Sequence, residues 1–406
     1  MIRRILILVI AVLSSVVVDA GSCHAADGTA WTGTKLAAPG VAKHDWFGSA
    51  MSADGEFAIA GAPYHDKGGS NAGAAWIFAR QDKGWQSQSQ LIAADAAPGD
   101  QFGQSVCIHG EQAIVGAPFA DPKGIDSGAA YVFQRDGVDW KPVAKLTASD
   151  GRKYSEFGCS VAICGGRAMV GAQVHHDKDD EGNEVSGQVY FFERMPQGWT
   201  EVGKFADFNR TRGGALGHSM AISDKYAFAG GDTIDGVGAV YVFERADNGW
   251  KQTELLKASN PRALETFAGS LSISGDNLLV GAKFDGERGV NSGSAYIFHR
   301  DGTVWKQAAK LTAPDAQVGD LFGCSVSLSG DLAAVGAMYK NAAGAVYLFK
   351  RNGSEWKQTG KLTAPGAVAE DDFGCAVSIG GDAILVGANH SNSAGRNSGS
   401  AYVFKP

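Results

Sequence analysis

Three groups of residues in this sequence have the types and spacing to do chemistry. The first is the run HHDKDDEGNE, His175 to Glu184, in which Asp177, Asp179 and Glu181 precede Gly182 with the alternate spacing of a calcium loop. The match is partial, because Val185 stands where a closing carboxylate belongs, and a solvated charged tip competes with the metal reading. No metal is expected there, and adjacent His175 and His176 point apart in an extended segment rather than chelating. The second group is a set of rings, Tyr64, Phe119, Phe284 and Tyr339, with Asp66, Asp121 and Asp285 beside three of them. Flat rings next to carboxylates stack on sugars or grip a peptide; the competing reading packs each ring under its own loop. The third is His218 beside Ser219, a base and a nucleophile by type. Serine recurs at the equivalent places Ser105, Ser160, Ser270 and Ser325, which marks it as architectural, and neither GxSxG nor HExxH occurs.

These residues recur in register because the chain is a repeat. Seven openings, Phe47-Gly48, Phe102-Gly103, Phe157-Gly158, Leu216-Gly217, Phe267-Ala268, Phe322-Gly323 and Phe373-Gly374, each start an alternating run. A triplet ending in Gly-Ala follows, then an aromatic-x-Phe pair from Trp76/Phe78 to Tyr402/Phe404. A fourth run begins at Trp85, Trp140, Trp199, Trp250, Trp305 and Trp356, and its missing copy lies at the other end, where Trp31 leads into Lys35 and Leu36. Four short antiparallel strands per unit predict an all-β, seven-bladed β-propeller whose last blade is closed by the N-terminal strand. Closure by a shared blade removes exposed sheet edges. The long loops, Pro63 to Ala74, Pro118 to Ala129, Gln173 to Gly187 and Asn389 to Ser400, connect second to third strands, so the functional face is expected on that side.

Composition narrows the partners. The formal charge of -7 and the scattered Lys and Arg leave no basic stripe for phosphates, so nucleic acid is excluded. Glycine, at 56 residues, is about twice ordinary usage and falls at fixed repeat positions. Residues 1–25 read as an export signal: Arg3 and Arg4, an apolar run from Ile5 to Val18, then small residues. That run is short of the ~20 residues a membrane helix needs. A linker at 26–30 and a single propeller at 31–406 complete the organisation. The expected location is secreted, periplasmic or at the cell surface, without a lipid anchor on Cys23. The other cysteines, Cys107, Cys159, Cys164, Cys324 and Cys375, are odd in number and cannot form a complete disulfide framework. Three share the register after Phe-Gly and read as small inner-strand residues; a bridge between Cys324 and Cys375 is left open.

FGCSVSLSGDLAAVGA and FGQSVCIHGEQAIVGAP, each followed by AVYLF or AAYVF, resemble the FG-GAP repeat of integrin α-subunit propellers and of exported bacterial proteins. The resemblance implies an extracellular binding or adhesion module, and it covers Trp31 to Pro406. The integrin-type calcium loop is not matched, since Ser329-Gly330-Asp331 and its equivalents carry one acid each. The reading is therefore a monomeric, cofactor-free module recognising a protein or glycan through the long-loop face. The alternative is a propeller hydrolase or lyase acting on extracellular polysaccharide.

Overall fold

A computed structural model describes residues 21–24, 30–82, 84–178, 184–206, 215–231, 236–247, 249–260 and 266–406. Seven antiparallel sheets stand around a central axis. Blade six is typical: Phe322–Ser329, Leu332–Ala337, Ala345–Asn352 and Glu355–Leu362 pair in sequence order. Each strand alternates or runs apolar because the second and third strands are covered on both faces by neighbouring blades. The inner strands Met51–Asp54, Ser105–His109, Val161–Cys164, Ser219–Ile222, Phe267–Ser274, Phe322–Ser329 and Val377–Gly380 surround a channel of about 400 Å³.

Blade seven is assembled from both ends of the chain. Val377–Gly380, Ala383–Ala388 and Ser400–Lys405 come from the C-terminus, and Ala30–Lys35 pairs with the last of them. Its register sets Thr32 against Lys405, Gly33 against Phe404, Thr34 against Val403 and Lys35 against Tyr402, and the Leu36 N–H donates to the Ala401 carbonyl at 2.8 Å. Trp31 and Leu36 are buried by this pairing. A further strand, Gly21–His24, lies outside Ala30–Lys35 and makes this sheet five-stranded.

The repeat's two signature glycines have one cause. The Gly of Phe-Gly has a left-handed backbone, and the Gly of Gly-Ala in the preceding blade lies directly against its carbonyl. A Cβ on Gly387 would collide with the Gly48 oxygen, and one on Gly61 with the Gly103 oxygen. Neighbouring blades touch backbone to backbone at this point, which only a residue without a side chain permits. Serine hydroxyls fasten the same contact: Ser325 to the Gly374 carbonyl at 2.7 Å, Ser270 to Gly323 at 3.0 Å, Ser219 to Ala268 at 2.6 Å and Ser105 to Gly158 at 2.7 Å. The architectural reading of this serine therefore holds. Ala50 and Ala376 take its place in blades one and seven.

Candidate functional site

The long-loop mouth of the ring is built by two registers. The residue before each Phe-Gly turns the interblade link into the inner strand, and all seven are left-handed: Trp46, Gln101, Glu156, Ala215, Thr266, Leu321 and Asp372. Such angles are uncommon for residues with side chains. The second register lies two residues beyond Gly-Ala and contains Tyr64, Phe119, Phe284, Tyr339 and His390.

Across the junction of blades seven and one these registers join. The Trp46 ring meets Tyr64 edge-on at 4.6 Å and His390 edge-on at 4.7 Å, and His390 Nδ1 lies 3.0 Å from the Asp372 carboxylate. Asp372 is buried, which raises its pKa; His390 opposes that rise, and Asp371 and Glu370 add to it. Tyr339, exposed at 48%, stands next in the arc, its pKa raised by burial and by the charge of Asp372. Trp46, His390 and Asp372 were missed in the sequence reading, although their registers beside Phe-Gly and Gly-Ala mark them.

The structure divides the seven expected site residues. Tyr64 and Tyr339 belong to the arc. Phe119 and Phe284 are half-buried, and Lys283 Nζ sits 5.4 Å from the Phe284 ring centre. The carboxylates turn to their own scaffold: Asp66 accepts from the Asn71 N–H at 3.0 Å and Asp121 from the Asp126 N–H at 2.7 Å, each closing its loop. Asp285 is fully buried, bonded by Tyr296 at 3.0 Å and paired with Lys310 at 2.6 Å. The acidic tip lies partly outside the described residues: Arg167–Lys178 and Glu184–Met195 pair antiparallel with Asp177 across from Val185, while Asp179 and Glu181 fall outside the described residues. Among the described residues no group of three or more His, Cys, Asp or Glu is placed to hold a metal ion.

The candidates for covalent chemistry are engaged otherwise. Ser219 gives its hydroxyl to Ala268, and His218 Nδ1 lies 2.8 Å from Gln173. On the opposite, short-turn face Cys164 Sγ is 3.9 Å from His109 Nε2, whose Nδ1 is 3.3 Å from Asp54. The order of types is that of a thiol triad, but burial, with Asp224 adding to it, pushes the Cys164 thiol up to about 11. A nucleophilic cysteine needs the opposite shift. Cys159 and Cys375 are pushed up to about 12 by burial, and all five described cysteines outside the Gly21–His24 strand are unbridged, Cys324 and Cys375 included.

A family model described as the FG-GAP repeat matches residues 31–78, 85–133, 140–192, 250–298, 305–349 and 356–404. The unmatched unit is blade four, where Leu216 replaces phenylalanine and Gly231 replaces alanine. Among solved structures, the chain is similar to a putative 6-phosphogluconolactonase from Bacteroides uniformis, with 15% identity, a TM-score of 0.55, and coverage of 79% of this chain and 85% of that one. At that identity the likeness is one of fold. No curated protein matches the chain. No helix among the described residues is long and apolar enough to cross a membrane.

Proposed function

This chain belongs to the FG-GAP repeat family, and from that premise we propose that it is an exported binding module whose long-loop mouth recognises a protein or glycan. Propellers of this family support protein binding in general. The observation that carries the finer reading is the arc Tyr64, Trp46, His390, Asp372 and Tyr339. It sets three aromatic rings and an imidazole–carboxylate pair along one rim, spanning three blades. Aromatic side chains that present an apolar body and a polar tip are the usual anchors of such surfaces. They stand on turns and links at the ends of strands, anchored by backbone bonds such as Trp46 N–H to Asn397 and Tyr64 N–H to Asp45, which limits the ordering entropy lost on contact.

Export is supported by Arg3, Arg4 and the apolar run that follows. Cleavage after Ala25 would remove the Gly21–His24 strand and leave blade seven with four strands, like its siblings. The test is a protein and glycan array probed with the purified protein, with and without calcium, beside the Trp46→Ala and Tyr339→Ala variants. Each variant is expected to weaken binding by about ten-fold or more, the ordinary cost of truncating an interface anchor. Binding that ignores both substitutions would refute the long-loop mouth, and turnover of an arrayed glycan would replace binding by catalysis.

A further inference from the structure

The outer edges of the blades carry a recurrent pairing of tyrosine and lysine. Tyr131 and Lys145, Tyr190 and Lys204, Tyr296 and Lys310, and Tyr347 and Lys361 are cross-strand partners on third and fourth strands. Each pair closes on a carboxylate. Asp95 takes Tyr131 at 2.9 Å and Lys145 at 2.5 Å; Asp315 takes Tyr347 at 2.6 Å and Lys361 at 2.7 Å. Asp150 takes Tyr190 at 2.8 Å together with Lys204, and Asp285 serves Tyr296 and Lys310.

Blade seven has the pair, Tyr402 across from Lys35, and lacks the carboxylate. Gly366 stands in the interblade link where Asp315 stands one blade earlier. Among the described residues the Lys35 side chain makes no hydrogen bond or ion pair, and burial lowers its pKa against the opposing charge of Asp371. Burial raises the pKa of Tyr402, and the neighbouring Ser400 and Ser391 hydroxyls oppose that rise. A second filler is lost at the same place. In blade six, Lys340 is 2% exposed and runs under its loop to the Asp315 carbonyl and to the Asp320 carboxylate, the latter at 2.9 Å. Its counterpart in blade seven is Ser391, yet the counterpart of Asp320 is kept: Asp371 is buried and its carboxylate accepts from the Val368 N–H at 2.9 Å. Where blade six is filled, blade seven has a cavity of about 690 Å³ walled by Leu36, Ala38, Val41, Pro365, Val368 and Ala394, with Lys35, Asp371 and Tyr402 on its lining.

We propose that this cavity is a binding site for an apolar α-amino acid, whose carboxylate meets Lys35 where the siblings use an aspartate and whose ammonium meets Asp371 where blade six uses Lys340. Compared with blade six, the cavity keeps one cationic and one anionic group and lacks the partner of each, so charge complementarity asks for a zwitterion rather than a simple anion. Its apolar wall and its size, within the range of small-molecule sites, suit a side chain of the leucine or phenylalanine kind. Ser391 and Ser393, tied to the buried Ser400 hydroxyl at 2.9 and 3.1 Å, add polar groups to the lining. The site adjoins the mouth arc, since Phe47, Asp371 and Ser391 follow or precede Trp46, Asp372 and His390 in the chain, but its lining shares no residue with the arc, so Lys35→Gln and Trp46→Ala tell the two apart.

Isothermal titration of the purified protein with leucine and phenylalanine, and with 4-methylpentanoate and 3-phenylpropanoate, tests it. At least one of the two amino acids is expected to bind, and its analogue without the ammonium to bind about ten-fold or more weakly, the scale of a charge-assisted bond. Lys35→Gln is expected to weaken amino-acid binding by a similar factor, while Lys361→Gln, in the filled blade, leaves it unchanged. Because Lys35 also lies on the closing strand, a second variant fills the cavity from the loop: Ser391→Lys, which reproduces Lys340 of blade six, is expected to abolish binding, and Gly366 is kept because its left-handed backbone would strain an aspartate. No binding of either amino acid up to about 10 mM, equal binding of the analogues, or unaltered binding in both variants would overturn the proposal.

Discussion

Blades six and seven share one strand plan, and they differ in how the plan is completed. Blade six is continuous in the chain, from Phe322 to Leu362, and fills the space under its loop with its own Lys340 and Asp315. Blade seven borrows its outer strand from residues 30–35 and leaves the same space open. The difference teaches that the fold is fixed by the inner layers, where glycine and phenylalanine set the contacts, while the outer layer is free to diverge. Divergence at the junction of the chain's two ends is where this molecule gains a cavity with an apolar wall and two charged groups on its lining.

The most damaging test of the comparison removes the borrowed strand. Deleting Trp31 to Leu36 takes two buried apolar side chains and a ladder from blade seven, a loss of about 4 kcal/mol from Trp31 and Leu36 alone. A large fall in Tm is expected, whereas an unchanged melt would mean that blade seven does not depend on the chain's head. Next in size is the buried Lys340–Asp320 pair of blade six, which has no counterpart in blade seven. Asp320→Asn leaves the Lys340 ammonium buried beside a neutral amide, at a cost of about 3 kcal/mol. Asp371→Asn in blade seven keeps an amide oxygen to accept from the Val368 N–H and loses at most about 1 kcal/mol. Urea titration of the two variants should return that order; the reverse order would contradict the filling argument.

Acid sharpens the contrast further. Burial alone would raise Asp315, but bonds from Lys361 and Tyr347 outweigh it and hold its carboxyl down at about 2. The folded state therefore binds fewer protons than the unfolded chain, whose aspartates titrate near ~3.9. The stabilisation is present above that value and is lost as pH falls toward 2. Asp95 and Asp150 are lowered by the same kind of partners, and blade seven, with Gly366, contributes nothing. Urea midpoints measured from pH 5 to pH 2 should fall, and Asp315→Asn should flatten part of the slope; an unchanged slope would count against the pairing. The smallest effect is at the serine fastener. Ser325→Ala should cost about 1 kcal/mol by denaturation, while Ala376→Ser, at the junction that lacks it, should cost nothing.

The ring was legible in the sequence because its determinants are local and repeated. Phe-Gly and Gly-Ala recur wherever two backbones touch, and Trp31 to Leu36 supplied the missing seventh copy of the outer run. The cavity was not legible, because its meaning lies in Gly366, Ser391, Lys35 and Tyr402 together, drawn from three segments across the whole chain. A glycine after a proline reads as a turn until its siblings are seen to hold an aspartate. The loop acids were hard to place for the opposite reason. Asp66 and Asp121 sit beside aromatic rings in sequence, but each is five residues before the N–H it accepts, a spacing repeated by Asn392 and Asn397. That spacing is the signal of a loop closed on itself.

Ring closure by the chain's head is tested most directly by amide hydrogen exchange at Leu36, whose N–H donates to Ala401. Protection equal to that of the core amides of blade six is expected if the two ends form one cooperative blade. Exchange at the rate of an open chain, with the rest of the ring protected, would contradict it.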